Sequence, residues 1–335
     1  MAVVSWFSFL ASAACILYAG RQLTRHGEEL AEQTGLTRGF IGVILLGFIT
    51  SLPELFSTIG AAALVHSPNL ALGNIFGSNA CNLAILALLE IGTSPRGGLQ
   101  HTLNRDNLLT AFLSLIMVAM AAMAILVQAH WHLGSIDYFT VAIGFTYIAG
   151  LRMLYNFQNL PPADSPATTN TVQQPVPGKK AAELLKKKIL PTAVVIVIAA
   201  LVLSYAAENI ARTTGWGSTF VGNVLLAVAT SLPEMVVTFS AIKLGSFALA
   251  AGNIFGSNIF NIAILVIADL CYFPRSLYAE ADPGQILIAL MVILISSVYL
   301  FSSFYGVKRK VLAVRLDSLA VLTIYALGIY LLFIL

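Results

Sequence analysis

The sequence predicts an all-α integral membrane protein, with ten transmembrane helices in two inverted five-helix repeats. Three observations carry this reading. First, 58% of the 335 residues are hydrophobic and 10% charged, with a mean hydropathy of +0.87. A soluble domain carries about 25% charged residues, and a water-soluble chain of this size could not hide so much apolar surface; disorder is equally excluded. Second, ten segments reach the roughly 20 apolar residues that a spanning helix needs. Third, two polar motifs each occur twice, five helices apart.

The first segment covers 3–20. Residues 2–20 are apolar, but no positive charge precedes them, so they lack the basic start of a secretory signal and read as a retained first helix. Helix 1 is expected to run on over Arg21 to Gln33 as a charged amphipathic extension lying at the membrane surface. The second segment, 37–64, carries Pro53 in its interior, and the third, 69–91, contains Gly73-x-x-x-Gly77, a spacing that lets helices approach closely. Segments 108–128 and 135–156 complete the first half, residues 1–157. Residues 158–190 hold Pro161, Pro162, Pro166, Pro175 and Pro177, then Lys179, Lys180, Lys186, Lys187 and Lys188. That composition reads as a flexible linker. The second half, 191–335, holds segments 191–211, 219–243, 247–271, 285–304 and 317–335.

With the N-terminus outside and ten alternating spans, 16 of the 18 Lys and Arg residues fall on the inner side. Only Arg212 and Arg275 fall outside. Basic residues accumulate on the cytoplasmic side, so the count predicts both the topology and its orientation: termini outside, linker cytoplasmic. Trp6, Trp131 and Trp216 all fall at the outer interface. Cys15, Cys81 and Cys271 show no C-x-x-C spacing and read as packing residues.

The repeat is explicit. Thr50-Ser51-Leu52-Pro53-Glu54 recurs as Thr230-Ser231-Leu232-Pro233-Glu234. Gly73-Asn74-Ile75-Phe76-Gly77-Ser78-Asn79 recurs as Gly252-Asn253-Ile254-Phe255-Gly256-Ser257-Asn258, with Asn82 matching Asn261 and Glu90 matching Asp269. An offset of five helices is odd, so one copy is upside down relative to the other, an architecture common among secondary transporters with midplane binding sites.

A carboxylate at the bilayer centre costs about 2.5–3.5 kcal/mol on insertion scales. Glu54 and Glu234 have no Lys, Arg or His nearby in their own segments, so their partner reads as an exogenous cation or a proton. Pro53 and Pro233 remove the helical donors of the Ile49 and Ala229 carbonyls. Irregular backbone at membrane depth is tolerated where it lines a cavity or an ion. Freed carbonyls beside a carboxylate are hard ligands suited to Ca2+ or Na+. Ser78 and Asn82, and likewise Ser257 and Asn261, lie four apart and share a helix face. Asn82 and Asn261 read as ligands, while the paired glycines read as packing residues. Glu90 and Asp269 read either as acids drawing cations to opposite mouths or as acids at the water boundary.

These motifs resemble the cation/Ca2+ exchanger superfamily, specifically the membrane region of sodium/calcium exchangers in a minimal prokaryotic form. The similarity spans nearly the whole chain. It implies a midplane site ringed by Glu54, Glu234, Asn82 and Asn261, joined by Thr50, Ser51, Ser78, Thr230, Ser231 and Ser257. It also implies antiport of Na+ against Ca2+ by alternating access, with the first and sixth helices sliding past a rigid core, in a bacterial inner (plasma) membrane. The transported cations and membrane lipid are the implied partners; no cofactor, nucleic acid or ATP is implied. One departure stands out: typical members carry aspartate where this chain has Asn261. Two formal negative charges then remain, enough for one Ca2+ or two monovalent ions.

Other readings compete. The same fold could be driven by H+, since buried glutamates carry protons, or could exchange another cation. A passive channel is disfavoured by duplicated inverted halves. An enzyme would need a base beside Ser78 or Ser257, and His26, His66, His101, His130 and His132 all fall in loops or at segment ends.

Overall fold

Helix is present in each of the ten predicted segments of the computed structural model, which describes residues 2–64, 66–93, 105–127, 132–133, 136–157, 178–214, 227–272, 275–305, 310–311 and 314–334. In the first half, α1 (Ala2–Thr34) is followed by a helix bent by 45° into α2a (Arg38–Thr50) and α2b (Leu52–Ala63). Then come α3 (Pro68–Thr93), α4 (Arg105–Val127) and α5 (Tyr138–Phe157). The second half runs α6 (Leu190–Thr214), α7a (Ala227–Thr230), α7b (Leu232–Lys243), α8 (Phe247–Cys271), α9 (Gly284–Tyr305) and α10 (Leu316–Ile334). Among the described residues five helices are long and apolar enough to cross a membrane alone, and the bent α2 makes a sixth span. Two short antiparallel ribbons, β1 (His132–Leu133) with β2 (Ile136–Asp137) and β3 (Lys310–Val311) with β4 (Val314–Arg315), precede α5 and α10 at matching places in the two halves.

One local expectation holds and one changes. The charged stretch after Arg21 continues α1 without a break. Leu23, Thr24, Leu30 and Ala31 give it a buried stripe, and Gly27 sits against Ile41 and Leu46 of α2a. A helix of 33 residues is about 50 Å long, longer than the roughly 30 Å hydrocarbon layer, so its charged end projects beyond it. The lysine run placed in the linker is instead helical. Lys179–Leu184 continues through a π-helical turn, Leu185–Ile189, directly into α6. Ala181, Leu184 and Ile189 are buried, and Lys188 pairs with Glu29 of α1 at 3.2 Å. The lysines are thus the polar face of a helix whose other face is packed. The linker prolines lie outside the described residues.

α8 is the axis of the main body. Leu249 to Leu265 are buried without interruption, and the helix packs on α2, α3, α4, α5 and α7b. α3 is nearly as fully enclosed from Ala71 to Ala87. Burial on all sides marks a core helix, and these two carry the second repeated motif. α1 and α6 instead pack against each other along their length, with Phe7, Leu10, Tyr18, Val194, Ile198 and Tyr205 exposed, as lipid-facing residues would be. Ile16, Ala199, Ala200 and Leu203 join Ala229 and Val236 in a small core separate from the main one.

Glycine sets how closely α2a approaches α8. A Cβ on Gly252 would lie 2.4 Å from the Gly39 carbonyl oxygen, one on Gly256 2.4 Å from that of Val43, and one on Gly47 2.6 Å from the Ser257 nitrogen. Backbone atoms cannot move aside as side chains do, so Gly252-x-x-x-Gly256 is a packing motif, as its spacing predicts. Gly256→Ala is therefore expected to destabilise the protein by about 1–3 kcal/mol. Gly60→Ala, with nothing within 4 Å of the new Cβ, should stabilise α2b by up to about 1 kcal/mol. Thermal unfolding of detergent-purified protein reads both, and a neutral Gly256→Ala would mean that the two backbones are not in contact.

Candidate functional site

Each copy of the Thr-Ser-Leu-Pro-Glu motif sits on a helix break. The regular helix stops at Ser51 (φ −90, ψ 7) and Ser231 (φ −81, ψ 3), two residues before each proline. α2b and α7b start afresh at Leu52 and Leu232, which places Glu54 and Glu234 in the first turn of a new helix. Unpaired N–H groups and the helix dipole favour negative charge there. Just upstream, Gly42–Leu46 forms a wide π-helical turn, a feature that often marks functional sites.

All ten predicted residues are fully buried: Thr50, Ser51, Glu54, Ser78, Asn82, Thr230, Ser231, Glu234, Ser257 and Asn261. Several of them meet across the two repeats. Ser51 of the first repeat donates to Glu234 Oε1 at 3.0 Å, and Ser257 donates to the same oxygen at 3.3 Å. Thr50 Oγ1 lies 3.2 Å from Ser257 Oγ and donates to the Leu46 carbonyl at 3.0 Å. Glu54 and Glu234 are near enough to feel each other's charge, and Thr230 and Ser78 are polar neighbours of Glu54. Cys81 fills space beside Ser231 and Tyr325.

The cluster is short of donors. Both oxygens of Glu54, Glu234 Oε2, Asn82 Oδ1, Asn261 Oδ1 and the hydroxyls of Ser78 and Ser231 are buried without a hydrogen-bond partner. Buried polar atoms are nearly always paired, and one left unpaired costs about 1–3 kcal/mol. The predicted site residues hold seven such oxygens, each with a lone pair free for a cation. Carboxylate, amide and hydroxyl oxygens are hard donors that match Ca2+ and Na+ and fit soft metals poorly. Among the described residues no group of three or more His, Cys, Asp or Glu side chains forms, so two carboxylates are complemented by neutral oxygens.

Four asparagines of the repeated heptapeptide, which sequence reasoning left without a role, frame this cluster. Asn74 Nδ2 donates to Thr58 Oγ1 at 2.8 Å, tying α3 to α2b. Its repeat mate Asn253 donates to Thr238 Oγ1 at 3.0 Å and to the Glu234 carbonyl at 3.3 Å, tying α8 to α7b. Asn79 and Asn258 face each other across the repeats: each donates to the other's carbonyl, at 3.2 and 3.4 Å. Such reciprocal contacts mark a two-fold axis. The signal in the sequence was the matched position of these residues, but their role depends on side-chain geometry.

Glu90 and Asp269 are neither cation-drawing mouths nor solvated boundary acids, since both are buried. Glu90 accepts from Ser318 Oγ at 2.9 Å and lies 3.4 Å from the Arg315 guanidinium, which also pairs with Asp317 at 2.7 Å. Asp269 accepts from Thr140 at 2.5 Å, Ser276 at 3.0 Å and the Leu277 N–H at 2.7 Å. The two acids anchor the ends of α3 and α8 to the starts of α10 and α5. His26 is engaged near Glu29 and His66 stands against the Tyr272 ring; the side chains of His101, His130 and His132 lie outside the described residues.

A family model described as sodium/calcium exchanger protein matches residues 4–151 and 189–334. The chain is 24% identical over 327 residues to the sodium/calcium exchanger MaX1 of Methanosarcina acetivorans, a match covering 89% of this chain and 92% of that protein. It is 25% identical over 279 residues to the inner membrane protein YrbG of Escherichia coli, covering 81% and 78%. Its fold is similar to that of the sodium-calcium exchanger NCX_Mj, with a TM-score of 0.74 and 21% identity over 98% of this chain and 99% of that one.

The anchor at Glu90 makes a stability prediction. Arg315→Met leaves Glu90 and Asp317 buried without their guanidinium and should cost about 3–5 kcal/mol, seen as a lower thermal midpoint. Adding Glu90→Gln and Asp317→Asn should recover most of that loss. Unchanged stability in Arg315→Met alone would show that the guanidinium is not needed to balance these acids.

Proposed function

This chain belongs to the sodium/calcium exchanger protein family, and from that premise we propose that it is a secondary active antiporter exchanging Na+ for Ca2+ by alternating access. The observation that carries the proposal is the set of seven donor-less buried oxygens on Glu54, Glu234, Asn82, Asn261, Ser78 and Ser231. Thr50, Ser51, Thr230 and Ser257 complete the wall. Two carboxylates neutralise one Ca2+, whose six to eight oxygen ligands the amides and hydroxyls help to supply, or two Na+. A third Na+ would rest on neutral oxygens and carry net charge across the membrane, so the coupling ratio is read from the reversal potential.

The names of the relatives support this choice of ions: MaX1 and NCX_Mj are both called sodium/calcium exchangers. The separate small core between α1/α6 and α7 supports a mechanism in which the α1/α6 pair moves against the main body and opens the site to each side in turn. The distribution of Lys and Arg supports an orientation with both termini outside and the 158–190 linker in the cytoplasm, and a linker too short for a folded domain supports a minimal prokaryotic form in an inner (plasma) membrane. The cargo is the bound cation itself, so the reading requires no cofactor and no catalytic residue.

Ca2+ flux in proteoliposomes under separately imposed Na+ and pH gradients, with the membrane potential clamped, tests the proposal. Ca2+ movement coupled to the Na+ gradient is expected; movement coupled only to pH would make H+ the driving ion, and no movement under either would require a different cation. Glu54→Gln and Glu234→Gln should each lower Ca2+ flux by about a hundredfold or more, equivalent to about 2.7 kcal/mol, while the proteins still insert and elute as folded species. Retained flux in both variants would overturn the assignment of the site.

A further inference from the structure

Building on that reading of the site, we propose that Asn79 and Asn258 are positioning residues that decide which atom the asparagines at 261 and 82 turn toward the cations. Each acts across the repeat boundary. Asn261 Nδ2 donates to Asn79 Oδ1 at 2.9 Å, and Asn82 Nδ2 donates to Asn258 Oδ1 at 3.1 Å. All four side chains are fully buried. With the amide nitrogens engaged in this way, Oδ1 of Asn82 and Oδ1 of Asn261 are the atoms left without a donor.

The arrangement enforces itself. Asn79 Nδ2 is committed to the Asn258 carbonyl at 3.2 Å, and Asn258 Nδ2 to the Asn79 carbonyl at 3.4 Å. Turning the Asn79 amide over would set its oxygen against a carbonyl oxygen and its nitrogen against the Asn261 nitrogen. Two hydrogen bonds would become two repulsions between like groups, in a place where water cannot substitute. The same holds for Asn258 by the two-fold relation. An amide carries both a donor and an acceptor, so a ligand at 261 or 82 can satisfy the clasp with one end and face a cation with the other. A carboxylate carries acceptors only, and one of its oxygens would meet Asn79 or Asn258 acceptor to acceptor. Positions 79 and 258 thereby select an amide at the opposing ligand position and hold the site at two formal charges.

The test uses the full-length protein in detergent, with Ca2+ titrated and binding followed both by calorimetry and by the Ca2+-dependent rise of the thermal midpoint. Asn261→Asp is expected to weaken Ca2+ binding about tenfold although it adds a negative charge. Removing the opposing oxygen with Asn79→Ala in the same protein should restore binding to the parental level or tighter. Asn79→Ala and Asn261→Ala should each weaken binding about tenfold and be no worse together, since they act through one hydrogen bond. Asn79→Ala and Asn82→Ala, neighbours on one helix but in different clasps, should multiply. A purely structural role for Asn79 would produce neither the rescue nor the coupling across repeats. Tighter Ca2+ binding in Asn261→Asp alone, or additive effects of Asn79→Ala and Asn261→Ala, would overturn the inference while leaving the exchanger reading intact. A parent protein indifferent to both Ca2+ and Na+ would overturn the two together.

Discussion

Two carboxylates enclosed in the middle of an apolar protein, with no ion pair to either among the described residues, set the terms for everything around them. Burying a charge without compensation is prohibitively unfavourable, so the fold must supply partial positive charge until a cation arrives. It does so by breaking two helices. Each new helix begins two residues before its glutamate, which puts Glu54 and Glu234 at the positive end of a helix. Proline makes the break local and permanent, since the missing N–H cannot be restored by any rearrangement of the turn. Ser51, left at the first break, reaches the glutamate of the other repeat. Thr50 in turn meets Ser257 of α8 at 3.2 Å, with α2a almost backbone to backbone against α8, which is why Gly47, Gly252 and Gly256 cannot carry side chains.

The two halves are related but not equivalent in this state. Glu234 Oε1 receives Ser51 and Ser257. Ser78, the repeat mate of Ser257, is likewise a neighbour of Glu54, but Ser231, the mate of Ser51, lies by Cys81 with its hydroxyl unpaired. The amide clasp, by contrast, keeps the symmetry closely, with reciprocal bonds of similar length. The symmetric part is the α3–α8 contact at the axis, and the asymmetric part is the pair of broken helices. An inverted-repeat transporter needs this division: a site symmetric throughout would face both sides of the membrane alike, so each working state must break the symmetry somewhere while keeping its core.

Much of this was legible in the residues. The ten segments and the inverted repeat follow from hydropathy, charge and matched positions, the full set of ten site residues came from the family resemblance, and helix is present in each segment. The exact site of the helix breaks was not legible, because proline specifies only that the turn before it is weakened; the chain uses Ser51 and Ser231 as the hinge. Glu90 and Asp269 were misplaced for a related reason. Counting along a helix puts them near the membrane boundary, but their partners include Thr140, Ser318 and Arg315, which are distant in sequence, as well as Ser276 just beyond α8. The helical lysine run was hidden by its charge: Ala181, Leu184 and Ile189 are too sparse a stripe to register against five lysines, although they suffice once α1 is alongside. Asn79 and Asn258 were visible as repeated letters only, since nothing in one dimension says that two asparagines 179 residues apart face each other.

The α1/α6 pair shows why movement is feasible in so tightly packed a molecule. A cavity in the main body would cost several kcal/mol, so the core around α3 and α8 cannot open stepwise. α1 and α6 meet Ala229 and Val236 of α7 in a small core, reach the main core through Leu23 and Ile196, and present apolar outer faces to lipid. Lipid is as apolar as leucine, so membrane helices gain little from hydrophobic exclusion and are held by close packing and hydrogen bonds. On the α1–α7b contact these are few: Gly20 lies against Val236, and Thr24 reaches the Val237 carbonyl at 3.3 Å while keeping a 2.9 Å bond within its own helix. Sliding the pair along α7b, as the proposed mechanism requires, would exchange the contacts that Ile16, Ala199, Ala200 and Leu203 make around Val236 while leaving the asparagine clasp between α3 and α8 in place.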